Sequence, residues 1–396
     1  MHRQSGSGKE PIYLDGFATT RLAPESMDAM RVAWALPGNA GSPHRFGENA
    51  ARTVAAARAS IGTLIGAAPN EIVFTSGATE ADNLAMFGVA LAAQGEQAKR
   101  RRIIVSAVEH KAVLGPASAL KAMGYDIVSA PVDALGLIRL DLLANLITDE
   151  TLMVSVMAAN NETGVIQPIA AVAKLARAAG ALVHCDAAQA AGKIDFDVDA
   201  LDVDYASLSA HKMHGPAGIG ALYISAAAPK PRPLQLGGGQ EQGLRSGTEP
   251  VALIAGFGAA AVVARDRMQV DGWHSRSLAE RLHAALSERQ IRARRTTDTA
   301  EVLPGALSLS IDDADADQVV LRLHDTVCLS TGSACSSGQL STSHVLKAMG
   351  YSEGTAKRVI RIYCGRYNTI SEIDRAADLI ASAAMRSGLA PGELRQ

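Results

Sequence analysis

Residues 207–218 read SLSAHKMHGPAG, a short alternating run that ends in His211 and Lys212 before a Gly-Pro turn. A second apolar run, residues 219–224, follows at once. The pattern predicts two buried strands with Lys212 at the end of the first. Burial lowers the pKa of an amine, and a neutral lysine amine is a nucleophile toward carbonyl compounds. Taken alone, Lys212 has a simpler interpretation, a lysine whose charged end reaches water beyond the strand.

The segments on either side of Lys212 alternate between short apolar runs and helical patterns. The strand-like runs are residues 72–75, 103–108, 127–132, 152–157, 181–185, 205–209 and 219–224, and helical patterns at 141–147 and 169–179 lie among them. This alternation predicts an α/β domain with a mostly parallel sheet and helices on both faces. Ligands in such sheets bind beyond the carboxyl ends of the strands. Five polar residues lie at or just past those ends: Thr79, His110, Asn161, Asp186 and Lys212.

Three of these residues also allow plainer interpretations. Residues 76–80, SGATE, form a small-residue turn between a strand and a helix, which aims free backbone N–H groups at an anion, but Thr79 could instead be only a helix cap. His110 alone suits a packed or surface histidine as well as a functional one. Asp186 ends an apolar run, so its charge is either paired or functional, because an unpaired buried carboxylate is costly.

The chain changes character after the second apolar run. Residues 229–249 form a Gly-rich stretch that is long for a simple connection, which indicates a function. A helical pattern over 251–264 continues as an amphipathic stretch to about residue 287. The remainder reads as a smaller α+β unit with strands at 306–311, 328–331 and 360–365 and a helix at 316–324. We place the domain boundary near residues 265–271, which gives a large domain of residues 20–265 and a small domain of residues 1–19 plus 266–396.

Two residues of the smaller unit are candidates for chemistry. Arg361 lies in the strand-like run 360–365, and a guanidinium forks a carboxylate with two hydrogen bonds. Cys335 lies in the sequence GSACSSG, residues 332–338, where the composition favours an exposed thiol for nucleophilic or sulfur-carrying chemistry. A loop thiol of no consequence is the alternative. The remaining cysteines are Cys185, Cys328 and Cys364, and packing is the default role for them.

Composition narrows the class of protein. The chain has 396 residues, 48% hydrophobic and 20% charged, as expected for a soluble globular protein with two or so domains. A net charge of -2 gives no electrostatic reason to expect nucleic acid or an anionic membrane, and the longest apolar stretch, residues 251–264, is too short to span a bilayer. Four cysteines without CxxC or zinc-ligand spacing suit a reducing cytoplasm and predict no metal site.

These segments share one order along nearly the whole chain. They include residues 18–20 (ATT), 44–47 (HRFG), 75–80 (TSGATE), 109–111 (EHK), 160–164 (NNETG), 186–189 (DAAQ), 209–212 (SAHK), 215–218 (GPAG), 245–248 (RSGT) and 333–335 (SAC). Together they resemble the cysteine desulfurases of the NifS/IscS type, which are pyridoxal phosphate (PLP) enzymes of the class V aminotransferase family. The resemblance implies fold type I, with a large α/β/α domain that binds PLP and a small α+β domain that carries the cysteine loop at about residues 330–340.

The resemblance implies cofactor roles for the residues at the sheet edge. Lys212 would bind PLP covalently and move the substrate's Cα proton, and Asp186 would face the pyridine nitrogen. Gln189 would hydrogen-bond the phenolic oxygen. His110 would stack on the ring and transfer protons at the substrate sulfur. The remaining expected cofactor contacts are Ala78, Thr79, Ser209 and His211 at the phosphate, Asn161, and Thr248, which would reach the phosphate of the neighbouring subunit and so implies a homodimer.

The resemblance also implies the reaction. Asn161 and Arg361 would bind the carboxylate of L-cysteine, and the Cys335 thiolate would take the substrate sulfur as a persulfide while L-alanine leaves. The sulfur would pass to an acceptor protein, such as an iron–sulfur scaffold or a sulfur carrier for other thio-cofactors. Cys335 could ligate an iron–sulfur cluster transiently. The alternative activity is that of a class V aminotransferase or a selenocysteine lyase that uses the same PLP site.

Overall fold

The computed structural model describes residues 10–94, 99–332 and 342–387. Its strands are β1 (Ile12–Tyr13), β2 (Ile72–Thr75), β3 (Arg102–Ser106), β4 (Asp126–Ala130), β5 (Thr151–Ser155), β6 (Leu182–Asp186), β7 (Tyr205–Ser209), β8 (Gly220–Ile224), β9 (Ala293–Arg295), β10 (Ala306–Ile311), β11 (Val327–Cys328), β12 (Ser330–Thr331) and β13 (Val359–Tyr363). Its helices are α1 (Pro24–Trp34), α2 (Arg45–Ile65), α3 (Ala78–Ala92), α4 (Lys111–Ala122), α5 (Leu140–Leu146), α6 (Ile169–Ala178), α7 (Val251–Glu288), α8 (Ala316–Leu323), α9 (His344–Ala348), α10 (Glu353–Ala356) and α11 (Ile370–Met385). No helix within these ranges is long and apolar enough to cross a membrane.

Seven strands form one sheet in the order β2-β8-β7-β6-β5-β3-β4. Within this sheet β8 runs antiparallel to both neighbours, and the other pairs are parallel. Successive residues point to opposite faces. Ile104 of β3 joins a core that includes α2, α6 and the first half of α7, whereas Ile103 and Val105 join a core with α3 and α4. Helices therefore cover both faces, and the predicted α/β architecture is confirmed.

The backbone is unusually close-packed where β8 begins. Gly220 pairs with Thr75 at the end of β2 and with Ser209 at the end of β7. A Cβ added at Gly220 would lie 2.4 Å from the Leu208 carbonyl oxygen and 2.6 Å from the Gly77 Cα, so a side chain has no room. The absence of a side chain lets the turns that follow β2 and β7 meet at one edge of the sheet. These are the turns that carry Thr79 and Lys212.

A second, four-stranded sheet has the antiparallel order β12-β13-β10-β9. It packs in a separate core with α8, α11 and the second half of α7, and Ile12 and Leu14 near the N-terminus join that core. Helix α7 is continuous over 38 residues, with residues 254–264 in the first core and residues 278–286 in the second. The predicted boundary at residues 265–271 therefore lies inside one helix, between its two packed halves. The division into residues 20–265 and residues 1–19 plus 266–396 remains a proposal.

Some predicted strands differ from those observed. The single strand predicted at 328–331 is wrong, because β11 pairs with β1 and β12 pairs with β13, and the chain changes partner at Leu329. The strand predicted at 103–108 ends at residue 106, and that at 152–157 ends at residue 155, although the N–H groups of Val156 and Ala158 still donate to carbonyl groups of β6. Val108 and Met157 stay buried outside the sheet, so the apolar run continues past the end of each strand.

Candidate active site

A cavity of about 440 Å³ opens at the carboxyl edge of the large sheet. Ten of the predicted site residues line it: Ala78, Thr79, His110, Asn161, Asp186, Gln189, Ser209, His211, Lys212 and Arg361. They come from turns after β2, β3, β5, β6 and β7 and from β13, as expected where parallel strands end together. Thr248 does not line this cavity and is exposed in the stretch before α7. Cys335 lies outside the described residues.

Lys212 lies in a single 3-10 turn, Ala210–Lys212, directly after β7. Its Nζ donates to the backbone carbonyls of Phe17 at 2.5 Å and Ala18 at 2.8 Å. The segment after β1 thus forms one wall of the cavity and orients the lysine. Two backbone carbonyl groups thus fix the direction of the amine at the cavity wall.

Asp186 is the last residue of β6 and is 6% exposed. Its Oδ1 accepts a hydrogen bond from the Ala188 N–H at 2.9 Å. Burial, followed by the nearby Asp82 carboxyl, raises the pKa of Asp186 to about 6. The carboxylate is therefore largely ionised at neutral pH, and it is available to a cationic partner in the cavity.

His110 caps the N-terminus of α4, and its Nδ1 accepts from the Ala112 N–H at 3.1 Å. A neutral ring with Nδ1 as acceptor carries its proton on Nε2. Burial lowers the pKa of His110, with the Asp186 carboxylate opposing this shift. His110 is thus a neutral imidazole with a fixed tautomer, a state suited to stacking and to proton transfer.

The N-terminus of α3 faces the same cavity. Its N-cap is Gly77, with no side-chain capping bond, so the interpretation of Thr79 as a helix cap is wrong. The backbone N–H groups of Ala78 and Thr79 have no acceptor within the described ranges. Ser209 and His211 lie beside them, and burial lowers the pKa of His211 to about 4. Unpaired N–H groups at a helix start form a binding site for an anion such as a phosphate.

Arg361 of β13 is the charged residue that reaches the cavity from the second sheet. Its side chain is 2% exposed, and its Nη2 donates to Asp15 Oδ1 at 2.9 Å while Nη1 donates to the Asn161 carbonyl at 3.2 Å. Its Nε has no acceptor among the described residues. A buried guanidinium with a spare donor suits an anionic substrate group.

Residues 12–376 match the family model described as aminotransferase class-V. The chain belongs to the aminotransferase class-V family. A cysteine desulfurase IscS of Rickettsia akari is 43% identical over 392 residues, which cover 96% of this chain and 93% of that protein. A solved NifS-like protein has a TM-score of 0.86 and 36% identity, covering 94% of this chain and 98% of that one. A structure named SspA in complex with cysteine has a TM-score of 0.78 and 34% identity, and the match covers 90% of this chain and 100% of that one.

The side chains in the cavity fit the PLP that membership of the class-V family implies. The aldehyde needs an amine, the ring nitrogen a carboxylate and the phosphate a set of hydrogen-bond donors. Lys212, Asp186 and the start of α3 provide these groups in one cavity. Gln189 adds an amide whose Nε2 donates to the Phe17 carbonyl at 3.0 Å and has a second proton to offer.

Sequence reasoning missed several groups around this class-V site. Lys193 Nζ donates to Gln189 Oε1 at 2.7 Å, and burial and the Lys212 charge lower the pKa of Lys193 well below its usual value. Behind Asp186, the fully buried carboxyl groups of Asp82 and Glu109 both have raised pKa values because of burial, about 7 for Asp82. In the sequence, Asp82 and Glu109 are distinguished only as acidic residues beside apolar ones.

Proposed function

We propose that this protein is a PLP-dependent cysteine desulfurase, which converts L-cysteine to L-alanine and carries the sulfur as a persulfide on Cys335. The observation that carries the proposal is the meeting of Lys212, Asp186, His110 and Arg361 in one cavity. The name of the Rickettsia akari relative supports a desulfurase over the class V aminotransferase or selenocysteine lyase alternatives. The SspA structure with cysteine supports L-cysteine as the substrate.

When bound, PLP supplies an electron sink that acidifies the substrate's Cα–H and weakens its C–S bond. Lys212 would hold the aldehyde carbon and Asp186 the ring nitrogen. His110 would cover the ring, and Gln189 would donate to the phenolic oxygen. The phosphate would lie at the start of α3, where the free donors are those of Ala78 and Thr79 together with Ser209 and His211.

The substrate is bound through its carboxylate and its amine. Arg361 Nε and the Asn161 side chain would bind the carboxylate beside the wall formed by Phe17. The neutral amine of Lys212 would move the Cα proton as a base. His110, protonated on Nε2, would transfer a proton at the substrate sulfur.

The Cys335 thiolate would then attack the substrate sulfur. The new S–S bond forms as the C–S bond breaks, and the bonding electron pair passes to the carbon side until a proton converts that carbon to the methyl group of alanine. The persulfide on Cys335 passes its outer sulfur to an acceptor protein, such as an iron–sulfur scaffold or a sulfur carrier. We place this activity in the cytoplasm.

The same proposal includes a homodimer. Thr248 is exposed and stands outside the cavity of its own chain, as a residue that serves a neighbouring site would.

Mass spectrometry after L-cysteine treatment tests the proposed function. We expect alanine in solution and one added sulfur atom on the Cys335 peptide of the holoprotein. Cys335→Ala should still bind L-cysteine, seen as a change in the cofactor's absorbance, and should transfer no sulfur. Full sulfur release by Cys335→Ala would favour the lyase alternative, and no alanine from the wild type under reducing conditions would exclude a desulfurase.

A further inference from the structure

Two residues that flank segment 333–341 contact the same carboxyl group. Ser343 Oγ donates to Glu162 Oε2 over 2.5 Å. On the other side, a Cβ added at Gly332 would stand 2.5 Å from the same oxygen, so the Gly332 backbone packs directly against it. The chain therefore enters and leaves the segment that carries Cys335 at the side chain of Glu162.

Glu162 is itself held in place by its own turn. Glu162 is 7% exposed. The Asn160 Oδ1 accepts from the N–H groups of Glu162 and Thr163, each at 2.9 Å. The Asn160 amide in turn donates to the Val108 carbonyl at 3.0 Å. The adjacent residue, Asn161, lines the active-site cavity. A rigid turn thus carries Glu162 and a substrate-binding residue side by side.

The residues that follow the segment are bound to a second turn of the active site. Ser343 caps α9 by accepting from the Leu346 N–H at 3.1 Å, and His344 Nε2 donates to the Glu109 carbonyl at 2.9 Å. Glu109 immediately precedes His110. On the other side, β12 pairs with β13 opposite Arg361. Both flanks are therefore bonded to elements that carry active-site residues, while Gly332 and Ser343 themselves line a neighbouring cavity of about 310 Å³.

We propose that Glu162 is a positioning residue that fixes the two residues flanking segment 333–341, Gly332 and Ser343, and that the attack of Cys335 on the substrate sulfur depends on this contact. The proposal rests on the desulfurase function proposed above. Cys335 lies three residues after Gly332, and three residues reach at most about 11 Å when fully extended. Contact with Glu162 fixes Gly332, the described residue from which this reach begins, and a fixed starting point raises the effective concentration of a reacting group.

Three substitutions separate the parts of this anchor. Glu162→Ala removes the carboxyl group, whereas Glu162→Gln keeps an oxygen that accepts from Ser343. Gly332→Ala forces a methyl group against the Glu162 side chain without changing its charge. Ser343→Ala and Ser352→Ala form a matched pair, because each removes a serine N-cap but only Ser343 also donates to Glu162.

The experiment uses holoprotein mixed rapidly with L-cysteine and follows two signals. The cofactor's absorbance reports substrate binding, and quenched samples analysed by mass spectrometry report the rate of persulfide formation on Cys335. We expect Glu162→Ala and Gly332→Ala to bind L-cysteine as the wild type does but to form the persulfide about 10–100-fold more slowly, as a misplaced reacting group would. Glu162→Gln and Ser352→Ala should stay within about threefold of the wild type, and Ser343→Ala should be slow.

Several results would overturn the positioning role. One is a folded Glu162→Ala protein that forms the persulfide at the wild-type rate. Another is an equal loss of substrate binding and of sulfur transfer, which indicates a general structural defect. If Glu162→Ala fails to fold, Gly332→Ala decides the matter by the same two signals. Absence of persulfide in the wild type would instead remove the proposed function, and the positioning role with it.

Discussion

Replacing Lys193 with methionine tests how the cavity orients Gln189. The Phe17 carbonyl, which accepts from Gln189 Nε2 at 3.0 Å, cannot donate, so the amide nitrogen faces Phe17 and the amide oxygen faces Lys193. Lys193→Met removes the donor to that oxygen but keeps an unbranched chain beside the Phe17 and Tyr363 rings, whose centroids lie 5.9 and 5.0 Å from Nζ. The amide then loses one of its two fixed partners.

The size of the effect follows from the hydrogen bond that is lost. Such a bond contributes about 0.5–1.5 kcal/mol between neutral groups and about 1.5–3 kcal/mol with a charged partner. Burial and the Lys212 charge lower the pKa of Lys193, so its amine is less fully charged than that of an ordinary lysine. We therefore take the energy at which the two ranges meet, about 1.5 kcal/mol, for the lost hydrogen bond. If Gln189 donates to the phenolic oxygen, Lys193→Met should weaken PLP binding about tenfold, since about 1.4 kcal/mol is a factor of ten.

Fluorescence titration of the apoprotein with PLP measures this change. The four proteins needed are the wild type, Lys193→Met, Gln189→Leu and the double variant. We expect the tenfold effect of Lys193→Met to shrink below about twofold in the Gln189→Leu background, because the two residues act through one contact. An equal loss of affinity in both backgrounds would refute the reasoning.

Two further predictions concern buried carboxyl groups. Burial raises the pKa of Asp82 from 3.8 to about 7, so the stability that this residue contributes is lost as the pH rises from near 4 through about 7. The apoprotein Tm of Asp82→Asn should therefore fall less between pH 5 and 7.5 than that of the wild type. An equal fall in the two proteins would contradict this prediction. Glu241 pairs with Arg58 at 2.6 Å and accepts from the Phe74 N–H at 2.8 Å, with 2% of its side chain exposed. Glu241→Ala should destabilise the protein by about 3–5 kcal/mol and lower the Tm. The double variant Arg58→Met, Glu241→Leu should recover only part of the loss, because the Phe74 N–H still lacks its acceptor. An unchanged Tm in Glu241→Ala would count against a structural role for the pair.

The location of the cavity was predictable because it follows from topology. Parallel strands end at one edge, so Thr79, Asp186 and Lys212 had to converge once the alternation of strands and helices was read correctly. The end of each strand was harder to predict. Val108 and Met157 continue an apolar run and are buried although they lie past the last residue of their strands, and Val108 packs in a cluster with Val345 and Leu346.

Contacts between irregular segments left no readable pattern. Lys193 lies four positions after Gln189 in a turn without helical or strand periodicity, and the orientation of the Gln189 amide is set by the Phe17 carbonyl, 172 positions away. The hydrogen bond from Ser343 to Glu162 likewise joins residues that are 181 positions apart. Thr248 and Cys335 were named from the resemblance, and their roles stay predictions.

The wall that receives Lys212 is built from the two ends of the chain. Strand β1 pairs in parallel with β11, Ile12 opposite Val327, and the carbonyl groups of Phe17 and Ala18 follow β1 directly. During synthesis the large sheet has all its strands once residue 224 has left the ribosome, whereas β11, the strand that pairs with β1, is made about one hundred residues later. Until then the Phe17 segment is held only from the side of the large sheet, through Gln189 and through Thr20 bonded to His211, so we expect the wall beside Lys212 to become rigid only after β11 is made.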